Sequence, residues 1–184
     1  MDGYVQLDEI SMDILKEIGN VGTGNAVTSL SQMMEQPIEL DMPSLKVVKY
    51  YKMHELLEQP EELQTGILIE VTGQLKGIFL FMLSEAFTKT VINTILGEEE
   101  RNLTSLDDME CSLISELGNI MCGSYIRALS QLMDMDMDVS VPELCIDMGG
   151  AILTYPMSRW VIVSDDILLI ENIFHMSGEI FKGR

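Results

Sequence analysis

The stretch "SMDILKEIGNVGTGNAVTSLSQMMEQPIELDMP", residues 11–43, decides the fold because it occurs twice in the chain. The segment "ECSLISELGNIMCGSYIRALSQLMDMDMDVSVP", residues 110–142, aligns with it without a gap at an offset of 99 residues. Similarity at one fixed spacing indicates an internal repeat, and we interpret the chain as a duplication. Nine positions are identical: Glu17/Glu116, Gly19/Gly118, Asn20/Asn119, Gly24/Gly123, Leu30/Leu129, Ser31/Ser130, Gln32/Gln131, Met34/Met133 and Pro43/Pro142.

The glycines of "GNVGTG", residues 19–24, at first suggest a loop that holds a nucleotide phosphate. The second copy reads "GNIMCG" and has Met121 where the first copy has Gly22. Neither copy is followed by the Lys-Ser or Lys-Thr pair of a P-loop. The sequence therefore argues against a nucleotide site.

Both copies have the apolar spacing of amphipathic helices. Asp8 or Ser11 is a candidate cap for the first helix, and Ser105 or Asp107 for the second. The residues predicted to face the core are Ile14, Leu15, Ile18, Val21, Ala26 and Met33 in the first copy, and Leu113, Ile114, Leu117, Ile120, Met121, Ala128 and Leu132 in the second.

Glycine inside a helix costs about 1 kcal/mol relative to alanine, so each helical glycine calls for a reason. Close approach of another backbone is the usual one. For Gly19 and Gly118 we favour packing inside the protein. Gly24 and Gly123 lie on the same side as the repeated Glu and Asn, where an incoming partner could come close.

The remaining segments predict strands. Residues 66–73 and 75–83 predict a hairpin around Gly73-Gln74, followed by a helix over 84–97, and residues 160–184 predict a second hairpin near Ser177-Gly178. The expected fold is α+β, with two long helices related by a pseudo-twofold on a largely antiparallel sheet. We expect one domain, 1–184, built of repeats at about 8–97 and 107–184. The second repeat lacks its final strand end and helix, which truncation or natural loss would both explain.

The amino-acid composition and net charge exclude several classes of binding partner. A net charge of −19 argues against nucleic acid and against insertion into or binding to anionic membranes. No apolar run reaches the roughly 20 residues of a membrane span. The three cysteines are odd in number and have no CxxC spacing, which disfavours a disulfide framework or a zinc site and makes the cytoplasm the natural setting.

The repeated polar residues form one motif, which is Asp or Ser, three residues, Glu, two residues, Asn, twenty-two residues, Pro. It resembles the signature of the CheC-type chemotaxis phosphatases, the family of CheC, CheX and FliY. Two copies favour CheC over CheX, which carries one. The residues that match are Asp13, Glu17, Asn20 and Pro43 in the first copy, and Ser112, Glu116, Asn119 and Pro142 in the second.

The resemblance implies a cytoplasmic phosphatase that hydrolyses the aspartyl phosphate of a CheY-like response regulator. Asn20 and Asn119 would position the attacking water, because an amide both donates and accepts hydrogen bonds. Glu17 and Glu116 would dock on a lysine of the partner. Pro43 and Pro142 look structural. No cofactor of its own is implied, and a divalent metal, expected as Mg²⁺, belongs to the partner. The alternative is a non-catalytic adaptor that binds the phosphorylated regulator or CheD.

Two further stretches carry acidic residues. In "LCIDMGGAIL", residues 144–153, Asp147 resembles the part of CheC-like proteins that contacts the deamidase CheD, while a plain turn into a helix or strand is an equal alternative. In "MDMDMD", residues 133–138, the alternating aspartates suggest calcium, but the glycine and glutamate of an EF-hand are missing. We interpret this stretch as a helix end that enters a strand.

Overall fold

The computed structural model describes residues 9–41, 43–49, 51, 52, 55, 57, 59–160, 166–176 and 178–183. A short 3-10 helix, Leu103–Ser105, lies between the repeats. The other elements are, in chain order, α1 (Glu9–Met34), β1 (Glu39–Leu40), β2 (Ser44–Lys49), β3 (Leu63–Gly73), β4 (Gly77–Ser84), α2 (Glu85–Leu96), α3 (Asp108–Met133), β5 (Met137–Val139), β6 (Glu143–Met148), α4 (Gly149–Trp160), β7 (Asp166–Met176) and β8 (Glu179–Gly183).

The eight strands form one sheet in the order β1-β7-β8-β4-β3-β5, with β2 also paired to β7 and β6 also paired to β3. All of these pairings are antiparallel. β1 and β2 belong to the first repeat, yet they pair with β7 of the second, and β5 and β6 pair in turn with β3 of the first. The repeats therefore exchange strands across the pseudo-twofold, and the predicted α+β fold with an antiparallel sheet is confirmed.

The alternating side chains of the strands fill two cores on opposite faces of the sheet. Phe81 and Leu83 of β4 belong to the larger core, which also takes buried residues from α1, α2 and α3. Met82, between them, packs with Ile152 and Leu153 of α4 in a smaller core. The two long helices thus share one face of the sheet, and α4 covers part of the other.

Equivalent residues end the two long helices. Glu35 after α1 and Asp134 after α3 have left-handed backbone, with φ of 52° and 51°. The hydroxyl of Ser31 accepts a hydrogen bond from the backbone N–H of Ile38, and that of Ser130 donates to the backbone oxygen of Met135. The serine identical in both copies therefore fixes the exit of each helix, which is a structural role.

The stretch "MDMDMD" is the end of α3 and the start of β5, as predicted. Asp134, Asp136 and Asp138 are all exposed. Among the residues that the structure describes, no three His, Cys, Asp or Glu side chains lie close enough together to hold a metal ion. No helix in the described ranges is long and apolar enough to cross a membrane.

The linker between the repeats is held by Arg101, which is buried. Its Nε lies 2.5 Å from Oε1 of Glu110, and its Nη1 donates to the side chain of Asn93 and to the backbone oxygen of Gly97. Glu110 also closes the capping box of Asp107 at the start of α3. Arg101 therefore ties the end of α2 to the start of the second motif helix.

Several local predictions are confirmed and others need correction. The hairpins at Gly73 and Gly178 form, and both glycines have positive φ. Asp107 caps α3, whereas Ser105 lies in the preceding 3-10 helix. Ser11 lies inside α1, and Asp8 falls outside the described residues. A strand predicted to begin at Trp160 is wrong at its start, because α4 runs to Trp160 and β7 begins at Asp166.

Candidate active site

The two motif helices pack against each other through a contact that differs between the repeats. A Cβ atom on Gly22 of α1 would lie 2.5 Å from Cδ1 of Tyr125 on α3. At the 99-residue offset, Gly22 corresponds to Met121 and Tyr125 to Ala26. These equivalent positions thus also carry one large and one small residue, in the opposite order. The ring of Tyr125 takes the space beside Gly22, and the second copy, with Ala26 in place of a tyrosine, does not require the glycine that first suggested a phosphate loop.

A buried polar network ties both motif helices to the sheet. The Tyr125 hydroxyl and Oγ1 of Thr23 are 2.5 Å apart, and Thr23 also donates to Oδ1 of Asn172 on β7 at 3.4 Å. Burial raises the pKa of Tyr125, while its hydrogen bonds with Thr23 and Asn172 lower it. Neither Thr23 nor Tyr125 is repeated, so the search for identical positions missed this network.

Gly19 and Gly118 lie on the side of each motif helix that packs against the sheet. A Cβ on Gly118 would lie 2.5 Å from Cγ2 of Ile67, and a Cβ on Gly19 would lie 3.2 Å from Cδ1 of Leu45. Internal packing, favoured from the sequence, is confirmed for both, although the neighbour is a strand side chain and not another backbone. Asn20 and Asn119, one residue further along, are exposed.

The predicted site residues form one exposed row on each helix. Asp13, Glu17 and Asn20 are exposed on α1, as are their counterparts on α3. Neither Glu17 nor Asn20 makes a side-chain hydrogen bond within the described ranges. On α3, Nδ2 of Asn119 donates to Oε2 of Glu116 at 3.4 Å. The carboxylate and the amide are thus close enough to meet one partner together.

The rows differ at their first residue. Asp13 forms an ion pair with Lys16 at 3.2 Å, and both side chains are largely exposed. Ser112 instead donates to the backbone oxygen of Asp108 at 2.7 Å. An exposed pair such as Asp13–Lys16 adds at most about 1 kcal/mol of stability. The row on α1 is therefore the more highly charged of the two.

The other predicted site residues lie near these rows or apart from them. Pro43 and Pro142 immediately precede β2 and β6. A Cβ on Gly24 would meet nothing within 4 Å, so the partner approach predicted for Gly24 has free space and stays a prediction. Asp147 is exposed at the end of β6, where its Oδ1 accepts the N–H of Met148 at 2.7 Å. The turn from strand into helix predicted for this stretch is present.

Comparison with known proteins shows which families share this sequence motif and this fold. A model of the CheC-like family matches residues 10–46 and 109–146, which contain both motif rows. The chain is 28% identical over 176 residues to the CheY-P phosphatase CheC of Bacillus subtilis, covering 94% of this chain and 84% of that protein. It is 31% identical over 108 residues to the CheY-P phosphatase CheX of Thermotoga maritima, covering 55% of this chain and 66% of that protein.

The fold matches as well. The structure of FliY from Thermotoga maritima superimposes with a TM-score of 0.75 at 23% identity, covering 97% of this chain and 91% of that one. At this identity the match shows the fold alone. The two matches of the CheC-like family model show that the chain resembles this family in the regions that carry both motif rows.

Proposed function

We propose that this chain is a phosphatase that hydrolyses the aspartyl phosphate of a CheY-type response regulator. The observation that carries the proposal is the exposed Glu and Asn pair present once on each of two packed helices. The CheC and CheX relatives, which are named CheY-P phosphatases, support the same activity. The site of action is the cytoplasm, where response regulators work.

An acyl phosphate is already reactive, so the catalyst needs mainly to place a water molecule in line with the phosphorus–oxygen bond. The water oxygen bonds to phosphorus, the bond to the carboxylate oxygen breaks, and the products are inorganic phosphate and a free aspartate. The amides of Asn20 and Asn119 orient that water. A neutral amide does so without placing a second negative charge against the phosphate, which a carboxylate would do.

Glu17 and Glu116 act as docking residues. Each lies three residues before its Asn, on the same side of the helix, so the two side chains reach one partner together. An ion pair between this carboxylate and a partner lysine sets the register of the complex. The divalent metal, expected as Mg²⁺, comes with the phosphorylated partner. Asp147 is the candidate contact for CheD, because its exposed carboxylate lies beside the start of α4.

The test is the loss of phosphate from pre-phosphorylated CheY, followed with the wild-type chain and with Asn20→Ala, Asn119→Ala and the double variant. We expect each single variant to keep one working site and the double variant to lose the acceleration. Glu17→Gln/Glu116→Gln should raise KM, with Glu100→Gln in the exposed linker as the matched control. An intact protein that leaves the rate of phosphate loss unchanged would refute the enzyme and favour the adaptor. A fully active Asn double variant would refute the assigned mechanism alone.

A further inference from the structure

Three large apolar residues on α1 are exposed to solvent. The exposed fractions of Ile10, Ile14 and Val21 are 74%, 47% and 38%. The prediction that Ile14 and Val21 face the core is therefore wrong, and the same prediction for Leu132 of α3, which is 49% exposed, is wrong as well. At about 100° per residue the three fall within some 40° of one another around the helix. We call these three residues the α1 stripe.

The α1 stripe runs directly beside the motif row. On the same helical wheel, Glu17 lies about 20° from Ile10, and Asp13 and Asn20 lie about 60° and 80° from it on that side. The motif row from Asp13 to Asn20 spans about two helical turns, which lie within the three turns that the α1 stripe spans. A partner that contacts Glu17 and Asn20 side by side therefore also meets the apolar stripe.

On α3 this arrangement is repeated only in part. Met109, the counterpart of Ile10, is 65% exposed. The counterparts of Ile14 and Val21 are Leu113 and Ile120, which are partly buried and pack against the larger core. The side of each helix that faces the sheet packs at Gly19 and Gly118. Ile10 and Met109 are therefore the exposed apolar residues that both motif helices share at equivalent positions.

We propose that the α1 stripe, and Met109 at the equivalent position on α3, bind an apolar surface next to the phosphorylated aspartate of the response regulator that the adjacent motif row serves. The inference rests on the proposed function. Exposed ion pairs and hydrogen bonds such as those of Glu17 and Asn20 add little affinity in water. Buried apolar side chains at the centre of a contact supply most of it. The stripe gives the complex its affinity, and the motif row gives it its register and chemistry.

The position of the α1 stripe beside the motif row identifies its partner as the response regulator that the motif row contacts. A surface contacted by the stripe lies within one helix width of the amide that must reach the phosphate. An exposed apolar residue also lies at the equivalent place beside each motif row, Ile10 on α1 and Met109 on α3.

The test uses the full chain with Ile10→Gln/Met109→Gln, which removes the exposed apolar residue at the start of each motif helix. The matched control is Ile180→Gln on β8, since Ile180 is 68% exposed and lies on a strand that carries no motif residue. Initial rates of phosphate loss from pre-phosphorylated CheY give kcat and KM. Fluorescence anisotropy of labelled CheY treated with beryllofluoride, a phosphate mimic, gives Kd without turnover.

We expect KM and Kd to rise at least tenfold in the double variant, equal to about 1.4 kcal/mol, with kcat within twofold of wild type. Loss of uniform binding has this signature. The Ile180→Gln control should match wild type in all three constants. Far-UV circular dichroism checks the fold, and Ile10→Ala/Met109→Ala serves as a second variant that introduces no polar group.

Three outcomes would overturn the inference. KM and Kd unchanged in both double variants would exclude a docking role. A fall in kcat at constant Kd would assign the side chains to the chemical step. A wild-type dimer that the double variant converts to monomer on size exclusion would make the stripe a contact between copies of this chain. A wild-type chain that binds the beryllofluoride form without accelerating phosphate loss would refute the proposed function and leave the stripe testable by Kd.

Discussion

Two glycines of α1, only two residues apart, should respond to the same substitution with opposite sign. A Cβ on Gly24 meets nothing within 4 Å, so Gly24→Ala gains the helix propensity of alanine, about 1 kcal/mol. A Cβ on Gly22 would lie 2.5 Å from the ring of Tyr125. That ring is buried and held by its hydroxyl on Thr23, so it has little room to move.

The magnitudes follow from these contacts. Overpacking of a buried site costs about 1–3 kcal/mol. After subtraction of the gain in propensity, Gly22→Ala should be destabilised by about 0–2 kcal/mol. The two variants should therefore differ by about 1–3 kcal/mol. With a urea m-value of about 2 kcal/mol/M, their midpoints should lie about 0.5–1.5 M apart.

Urea unfolding followed by circular dichroism at 222 nm measures this difference on the full chain, with wild type as the reference. A double-mutant cycle then tests the exchange of large and small residues. Gly22→Met/Tyr125→Ala places at these two positions the residues of their equivalents, Met121 and Ala26. We expect this double variant to be more stable than the sum of its single changes by 0.5 kcal/mol or more, about the size of coupling between residues in contact.

Two results would refute the reasoning. Equal midpoints for Gly22→Ala and Gly24→Ala would mean that the ring of Tyr125 yields at no cost. Strict additivity in the cycle would mean that Gly22 and Tyr125 do not act as a complementary pair, and the absence of a repeated Gly22 would then need another explanation.

Three further predictions concern buried groups. Tyr125→Phe removes the hydroxyl bonded to Thr23 and should cost about 1 kcal/mol of stability at neutral pH. Because burial raises the pKa of Tyr125 above that of the unfolded chain, the stability of the wild type should fall as the pH rises above about 10. Urea midpoints measured over a pH series should show a smaller loss of stability in Tyr125→Phe. Burial raises the pKa of Cys122 to about 12, so iodoacetamide at pH 8 should modify the exposed Cys145 and reach Cys122 only on unfolding, as peptide mass mapping would reveal. Arg101→Ala leaves the Glu110 carboxylate without its buried partner and should cost about 3 kcal/mol, visible as a lower Tm, whereas an unchanged Tm would contradict the assigned linker contact.

Much of this fold can be predicted from local sequence patterns. The period of the apolar residues predicts helices over both copies, and the alternation around Gly73 predicts the hairpin of β3 and β4. The identical Glu17 and Asn20 pair could be found because duplication preserves spacing. The exposed positions of these side chains follow from their place on the helix, at about 160° and 100° from Gly19, which packs against the sheet.

The rest depends on contacts that no local pattern contains. The helical pattern assigned Ile14 and Val21 to the core, although both are exposed. An apolar residue on an exposed binding surface cannot be distinguished by sequence from an apolar residue of the core. The Thr23–Tyr125–Asn172 network joins residues up to 149 positions apart and differs between the copies. The pairing of β2 with β7 was also missed, since strand partners are chosen by tertiary packing and not by the strands' own residues.

The strand exchange has a consequence for how the chain acquires its structure during synthesis. Ser44 of β2 pairs with Glu171 of β7, 127 residues later (171 − 44). At a translation rate of about 5–20 residues per second, β2 waits roughly 6–25 s for its partner. Until then the first repeat exposes a strand with buried-type residues such as Val47 and Val48. The first repeat therefore completes its strand pairing only after β7 of the second repeat has been synthesised.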